Sequence, residues 1–335
     1  MRSKQLLLGH GGGGRLSREL IAEELLPRFG DGPLAALPDG ALLSLGKERL
    51  IFTTDSFVVQ PLEFPGGNIG HLAVHGTVND IAAAGGRPLW LSFAMILEEG
   101  LDFALLRRVL DAVKEAASSC GVQIVTGDTK VVARGQCDGI YLNTAGIGAF
   151  IEDFSLSPRR IAIEDRVLVS GPLGDHGMAV MSARESIAIQ GDLVSDSAPV
   201  HRLSAAAAGF GAAIRFLRDP TRGGVAAVLG EIVEGRAVGI VLDEPSIPFS
   251  PGARAIAEML GLDLLHVASE GRLCAICAAE VASELLASWR ALPEGRDAAI
   301  IGRVSEDAGR VIMETGIGGR RLVDLPRGEL LPRIC

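Results

Sequence analysis

The sequence predicts an α/β protein of two domains with a short terminal tail. A chain of 335 residues is long for a single core and is expected to divide. Apolar runs of strand length alternate with helical patterns through both halves. A break at Ser155–Arg160, holding Ser157, Pro158 and Arg159, separates the two alternating stretches. The expected boundaries are 1–155, 156–325 and a tail at 326–335.

The first half opens on Gly9-His10-Gly11-Gly12-Gly13-Gly14, followed by a helical pattern from about Leu16 to Leu26. Four consecutive glycines free the backbone to wrap an anion with its N–H groups. Gly9, Gly11 and Gly14 also fit the dinucleotide spacing G-x-G-x-x-G. The strand before them would span only Gln5–Leu8, and no parallel βαβ unit completes it. A glycine lid over phosphates and a plain flexible N-terminus are the other readings.

Leu42–Leu45 and Arg49–Val59 then read as a hairpin across Gly46-Lys47. Its second strand carries Thr53-Thr54-Asp55-Ser56, and a carboxylate in such a strand is costly to bury unless a cation or donors meet it. Pro65-Gly66-Gly67-Asn68 breaks the chain, and a helix follows through His71, His75, Asn79 and Asp80 to Ala84. His71, His75 and Asn79 share one helix face, read as packed and hydrogen-bonded, with a transition-metal pair as the alternative. Gly85-Gly86 ends the helix. Pro88–Leu97 is a near-continuous apolar strand, Phe103–Ser118 an amphipathic helix, and Val122–Thr126 a strand leading into Gly127-Asp128-Thr129-Lys130. Ile140–Ile151 closes this half as a long strand.

The second half alternates again. Strand Arg166–Ser170 precedes a Gly174-Asp175-His176-Gly177 turn that opens a helix, and an Ala-rich helix lies around Ser204–Ala213. Arg218-Asp219-Pro220-Thr221-Arg222-Gly223-Gly224 precedes the helix Val225–Glu234. This is either an anion cradle or an ordinary capped helix start. Gly239–Leu242, Leu273–Ala279, Ala299–Val304 and Arg310–Glu314 read as strands, with helices near Ala253–Leu260 and Ala282–Leu292. Cys274 and Cys277 are three apart in a strand, so they face opposite sides and read as buried structural thiols.

Composition narrows the function. A net charge of −9 without a basic run argues against nucleic acid and anionic membranes as main partners. Five cysteines, an odd number, suit a reducing cytosol. Leu6–Leu8 is too short an apolar run for a signal peptide, and the most apolar windows are broken by Arg87 and Arg215, so the expected location is the cytoplasm. The chain has 28 arginines and only four lysines, Lys4, Lys47, Lys114 and Lys130. Arginine cannot give up its proton whereas a desolvated lysine can, which singles out the lysines that remain.

Asp55, Asp80 and Asp128 each end or adjoin a regular element. Hard oxygen ligands on rigid elements, with no cysteine nearby, suit Mg²⁺ shared with phosphates rather than zinc. Each alone also fits a cap or turn residue. The sequence ends in Leu331-Pro332-Arg333-Ile334-Cys335, after Pro326 and Gly328. Proline bars a continuing helix or central strand, and seven extended residues reach roughly 23–25 Å, enough to bring a thiol into a cleft. The alternative is a frayed end with an incidental cysteine.

Taken together, Gly9–Gly14, Thr53-Thr54-Asp55-Ser56, Pro65-Gly66-Gly67, Gly76-Thr77-Val78-Asn79-Asp80, Gly127-Asp128-Thr129-Lys130, Asp219–Gly224 and Pro332-Arg333-Ile334-Cys335 resemble the HypE family of hydrogenase maturation factors. The resemblance runs the whole length, and the terminal tetrapeptide is its most specific part. The acidic motifs alone indicate the wider aminoimidazole ribonucleotide synthetase (PurM)-like superfamily, with selenophosphate synthetase and thiamine-monophosphate kinase.

The resemblance implies a two-domain PurM-like fold with a C-terminal α/β sandwich. It implies a homodimer in which the N-terminal sheets of two subunits pair, with ATP and Mg²⁺ near that interface. The implied reaction is ATP-dependent dehydration of a carbamoyl group on Cys335 to a thiocyanate. The implied partners are the carbamoyltransferase HypF and a HypC–HypD complex that accepts the cyanide. Residue by residue, Asp55, Asp80 and Asp128 are expected to hold metal. Gly11, Gly12, Gly13, Gly14, Asn79 and Arg222 join them in binding the nucleotide. Cys335 is the expected carrier thiol, with Lys130 and Glu270 orienting and deprotonating the carbamoyl end. Arg222, Arg272 and Lys130 are candidates for docking the tail. The glycine loop carries no cysteine, unlike that of selenophosphate synthetases. A small-molecule synthetase or kinase, and a cyanide carrier without catalysis, are the alternative functions.

Overall fold

The computed structural model describes residues 6, 7, 10, 14–29, 35, 37, 39–154, 156–187, 193–324, 331 and 333–335. A broken N-terminal helix comes first, α1 (Gly14–Leu20) and α2 (Leu26–Phe29) on either side of a π-helical turn. The hairpin β1 (Ala41–Leu45) and β2 (Glu48–Phe57) follows, then a small ribbon of β3 (Glu63–Phe64) and β4 (Gly67–Asn68). Helix α3 (Ile69–Ala83), strand β5 (Gly86–Glu98), helix α4 (Phe103–Cys120), and strands β6 (Gln123–Val132) and β7 (Ile140–Phe150) complete this half.

The five long strands make one sheet in the order β1-β2-β7-β5-β6, antiparallel except where β5 runs parallel to β6. That parallel pair needs a crossover, which α4 supplies. A βαβ unit therefore exists, but far beyond the glycine-rich stretch that a dinucleotide site would need it to follow. Gly127-Asp128-Thr129-Lys130 lies inside β6 rather than in a loop after it, because β6 runs on alongside β5 as far as Val132.

Helix α3 is buried on nearly every side, with His75, Thr77 and Asn79 among its buried residues. Its start is fixed by Asn68, whose side chain accepts the Gly70 N–H at 2.8 Å while the His71 ring takes the Asn68 N–H at 3.2 Å. Gly70 allows α4 to come close, since a Cβ there would lie 2.4 Å from the Val109 carbonyl oxygen. Leu72, Val74, Val78 and Ile81 are completely buried, each contributing about 1.5–3 kcal/mol.

The second half contains β8 (Arg166–Val169), α5 (Asp175–Arg184), α6 (His201–Ala208), β9 (Ile214–Arg218), α7 (Gly224–Val233), β10 (Gly239–Asp243) and α8 (Pro251–Leu260). It continues with β11 (Cys274–Cys277), α9 (Ala282–Arg290), β12 (Ala299–Ser305), β13 (Val311–Glu314) and β14 (Arg320–Leu322). Its mixed sheet has the order β14-β13-β10-β12-β8-β11-β9. One face packs on α7 and the other on α6 and α9 around the fully buried Trp289. Cys274 belongs to the first of these cores and Cys277 to the second, as strand alternation requires.

The halves share a core. Side chains of α3 and α4 pack with those of α5 and α8, and Leu331 and Ile334 are buried among them. The terminal residues are therefore docked between the halves. Pro326, Gly328 and Pro332, read as the tether, lie outside the described residues.

Candidate active site

Strand alternation sends Thr53 and Asp55 of β2 to the side of the sheet that carries α3. There the Thr77 hydroxyl donates to Asp55 Oδ2 at 3.2 Å and sits 2.5 Å from Thr144 Oγ. The Thr53 hydroxyl lies 2.7 Å from the Asp39 carbonyl oxygen and 2.9 Å from Asp80 Oδ2, near the end of α3. Asp219, just past β9, completes the group and is 5% exposed. Asp39, Thr53, Asp55, Asp80 and Asp219 line a cavity of about 900 Å³ with Arg218, Arg222 and, from the N-terminal segment, His10, Ser17 and Arg18. Arg218 closes one wall, donating to Asp39 at 2.9 Å and to Glu231 at 2.6 Å.

Crowding the acids changes their chemistry. Burial, then the neighbouring charges of Asp55, Asp219 and Asp39, pushes Asp80 well above the ordinary carboxylate range. Burial and the charges of Asp39 and Asp55 raise Asp219 to about 7. Asp55 is raised by burial, with the Thr77 bond and the Arg222 charge pulling the other way. All the acidic donors are hard oxygens, and their shared charge calls for a cation.

Glu270 is 2% exposed, and its Oε1 has no hydrogen-bond partner among the described residues. Burial first, then Asp219 and Asp196, raises it well above the normal range, with Arg222 opposing. Its backbone is clamped on both sides. Asp196 Oδ1 accepts the Glu270 N–H at 2.8 Å, and the Asn79 amide donates to the Glu270 carbonyl oxygen at 3.0 Å. Gly271 is required here, because a Cβ would meet the Asp196 carbonyl oxygen at 1.8 Å.

The tail is held largely through its backbone. Val58 N–H donates to the Cys335 main-chain oxygen and Gln60 N–H to that of Arg333, both at 3.2 Å. Arg333 Nε donates to the Val58 carbonyl at 3.0 Å, and its guanidinium meets Asp138 at 2.5 Å. Arg184 reaches the Arg333 carbonyl at 2.8 Å, and His176 Nε2 lies 2.8 Å from that of Ile334. Ile334 is buried and Cys335 half-buried.

Asp55, Asp80, Arg222 and Glu270 thus come together on the α3 side of the sheet, with the tail docked alongside. Three expectations change, for the Asp128–Lys130 pair, for Asn79 and for Arg272. Asp128 and Lys130 lie on β6, in register with Ala94 and Ile96 of β5, and so face away from α3. Two strands separate them from β2, and they pair with each other at 2.7 Å with both side chains mostly exposed. They do not join the other acids within one protomer.

Asn79 does not face the cavity either. Its amide donates to the Ala198 and Glu270 carbonyls and its oxygen accepts the Val200 N–H at 2.8 Å, so it is a clamp between the halves. Arg272 donates to the Pro172 carbonyl and faces Asp196 at 3.5 Å, which places it behind the Glu270 loop. Gly11, Gly12 and Gly13 lie outside the described residues, and Gly14 opens α1.

The sequence reading missed Asp39, Asp196 and His176, and left Asp219 out of the acidic set although its motif was noticed. The Asp219–Gly224 turn was signal enough for the last, whereas nothing near Asp39 or Asp196 marks them.

Likeness to known proteins identifies the family. The AIR synthase related protein N-terminal domain matches residues 38–150, and the corresponding C-terminal domain matches 162–314. A carbamoyl dehydratase HypE from Bradyrhizobium diazoefficiens is 51% identical over 331 residues, covering 98% of this chain and 95% of that protein. A solved hydrogenase maturation protein HypE in complex with ATP is 44% identical. It covers 99% of this chain and 100% of its own, with a TM-score of 0.82. A chain of a solved HypE–HypF complex superposes at a TM-score of 0.87 with 43% identity, covering 92% of this chain and 99% of that one. With likeness of this extent in both sequence and fold, the chain belongs to the carbamoyl dehydratase HypE family of AIR synthase related proteins.

Proposed function

We propose that this protein dehydrates a carbamoyl group carried on Cys335 to a thiocyanate, using ATP. The observation that carries this is the docked tail, whose anchoring segment also holds Glu270: Ser195 meets the ring that grips Ile334, and Asp196 grips the Glu270 N–H. Loss of water from a thiocarbamate fails unassisted because hydroxide is a poor leaving group. Transfer of the γ-phosphoryl to the carbamoyl oxygen, with loss of one of the two nitrogen protons to solvent, releases ADP and makes that oxygen a phosphate. Removal of the remaining nitrogen proton expels phosphate and forms the C≡N bond, so that Cys–S–CONH₂ and ATP become Cys–S–CN, ADP and phosphate.

Glu270 is the candidate proton acceptor, since its buried Oε1 has no hydrogen-bond partner among the described residues and its raised pKa makes the carboxylate a stronger base. Asp55 and Asp80, with Asp219 beside them, would hold Mg²⁺, which when bound spreads the charge of the phosphoryl group. Among the described residues no three acidic, Cys or His side chains form a ready-made metal cage. A site of that kind suits a cation that keeps water and phosphate oxygens as ligands. Arg222 lies where it can face the phosphates.

The face of the first sheet turned away from α3 exposes Leu43, Leu45, Phe52, Trp90 and Ile96. A row of this kind suits a second copy packed there as a homodimer. Asp128 and Lys130 share that face, and the pairing would bring them to the interface. A carbamoyl donor of the HypF type fits the relative solved in complex with HypF. The cyanide would pass to a HypC–HypD acceptor, and five cysteines without a disulfide among the described residues suit the cytoplasm. No helix among the described residues is long and apolar enough to cross a membrane.

Intact mass spectrometry of the carbamoylated protein tests the reaction, with and without ATP and Mg²⁺, beside Cys335→Ala. The expected result is loss of one water from a Cys335 adduct only when ATP and Mg²⁺ are present. Absence of any adduct at Cys335 returns the synthetase and kinase readings. An adduct that forms and never loses water leaves a carrier.

A further inference from the structure

We propose that His176 is the positioning residue that seats the Cys335 thiol for reaction, acting through the Ile334–Cys335 peptide; this rests on the dehydration reading above. His176 lies in the first turn of α5 and has no exposed surface. A carbonyl oxygen can only accept, so the 2.8 Å contact with Ile334 O places the proton on Nε2. Burial keeps the ring neutral, its pKa lowered to about 4, which leaves Nδ1 as a lone pair. The Ser195 hydroxyl, 2.8 Å away, then donates to Nδ1, and Ser195 Oγ accepts the Ser197 N–H at 3.1 Å. The Ser195 N–H donates to the Pro65 carbonyl at 2.8 Å, which anchors the hydroxyl to the first half of the molecule. Phe64 packs against the ring at 85°, with centroids 5.4 Å apart. Tautomer, ring plane and ring position are therefore all fixed.

The bonds to Val58, Gln60 and Arg184 hold the oxygens of Arg333 and Cys335, whereas His176 meets the oxygen of the peptide unit between Ile334 and Cys335. Turning that unit swings the Cys335 side chain, and misplacing a reacting atom by about 1 Å costs roughly a hundredfold in rate. The same short segment sets the other reacting group. Ser195 orients the His176 ring, while its neighbour Asp196 takes the Glu270 N–H at 2.8 Å and faces Arg272 at 3.5 Å. Tail and candidate base are thus registered against one another through consecutive residues. Nothing in the sequence marks His176, which sits in a glycine-flanked turn that reads only as a helix start.

Two readouts test this on the full-length protein with His176→Leu, His176→Gln and Ser195→Ala. Alkylation of Cys335 by iodoacetamide, followed by peptide mass spectrometry, reports seating without any reaction. Cys274 and Cys277, both buried, report unfolding. Single-turnover loss of water from the carbamoylated protein reports the chemistry. His176→Leu is expected to speed Cys335 alkylation at least about tenfold with Cys274 and Cys277 still protected. It should slow dehydration about a hundredfold at an unchanged half-saturating ATP concentration. His176→Gln, whose amide N–H reaches as far as Nε2, is expected to recover most of both losses, and Ser195→Ala to fall between.

Wild-type alkylation and dehydration rates in His176→Leu overturn the proposal. Should His176→Leu label all three thiols, Ser195→Ala decides, and wild-type rates in that variant overturn it. Seating that responds to these changes in a wild type that never dehydrates defeats the reaction reading and not the seating.

Discussion

Asp55, Asp80, Asp219 and Glu270 each hold their proton above the ordinary carboxylate range, and for each the first cause is burial. A folded-state pKa above the unfolded one means that the native protein binds more protons, so stability falls as pH rises through that interval. For Asp219 the interval runs from the ordinary 3.8 to about 7. His75 and His176 work in the opposite direction, with pKa values lowered to about 3 and about 4, and their effect persists until the unfolded imidazoles, of ordinary pKa ~6.5, have lost their protons. Comparison of the wild type with Asp219→Asn from pH 4 to 7 cancels the histidines and isolates the acid. Without metal, the wild type is expected to lose stability relative to that variant as pH rises through this range, by about 2–4 kcal/mol in all, read as a falling melting temperature. Mg²⁺ should raise the wild-type melting temperature more at pH 8 than at pH 6.5. Parallel profiles for the metal-free wild type and Asp219→Asn count against this coupling. At this scale Asp55, Asp80 and Asp219 were visible as residues in quotable motifs, whereas Asp39 and Asp196 were not. Their role comes from long-range contacts with Arg218 and Glu270, which no local spacing encodes.

Helix α3 connects the two halves, and Asn79 bridges them through three hydrogen bonds. Asn79→Ala removes two donors from buried carbonyls and leaves the Val200 N–H without its acceptor. Such a loss costs about 2–4 kcal/mol, read as a lower midpoint in urea. Because the Glu270 carbonyl is one of the three partners, dehydration should fall as well. An unchanged midpoint would show that α3 is held by packing alone. The helix itself was legible in the sequence, since Asn68 and Gly85-Gly86 bracket an apolar stretch that has no other regular form. The extent of β6 was not. Gly127 reads as a strand end, but pairing with β5 carries the strand through it and turns Asp128 and Lys130 to the uncovered face. Strand β9 was also missed, its Ile214–Arg218 span hidden behind an Ala-rich helical pattern.

The two halves act as one molecule because the tail and α3 lie between their sheets, an arrangement that no local pattern announces. What a single chain leaves open is the outer face of its first sheet. An antiparallel sheet tolerates one wet face when that face is polar, yet here Leu45 is 71% exposed and Phe52, Trp90 and Ile96 each more than 40%. Burying apolar side chains of this size against a second copy stabilises the pair by about 1–3 kcal/mol each. Thr54, Ser56 and Asn143 interrupt the row, and Asn143 bonds to the Asp55 carbonyl at 2.7 Å, so the face is ordered on its own. Light scattering at micromolar concentration is expected to return about twice the chain mass of 35.0 kDa. Trp90→Glu combined with Ile96→Lys should return the single-chain mass with the circular dichroism spectrum unchanged, since both side chains point away from the core. A dimer that assembles through this face should also lose activity on dilution, and Lys130→Ala should lower turnover even at concentrations where light scattering still returns the dimer mass. A wild type that scatters as one chain at every concentration sinks the pairing. Asp128 and Lys130 would then have no route to the acids on α3's side of the sheet.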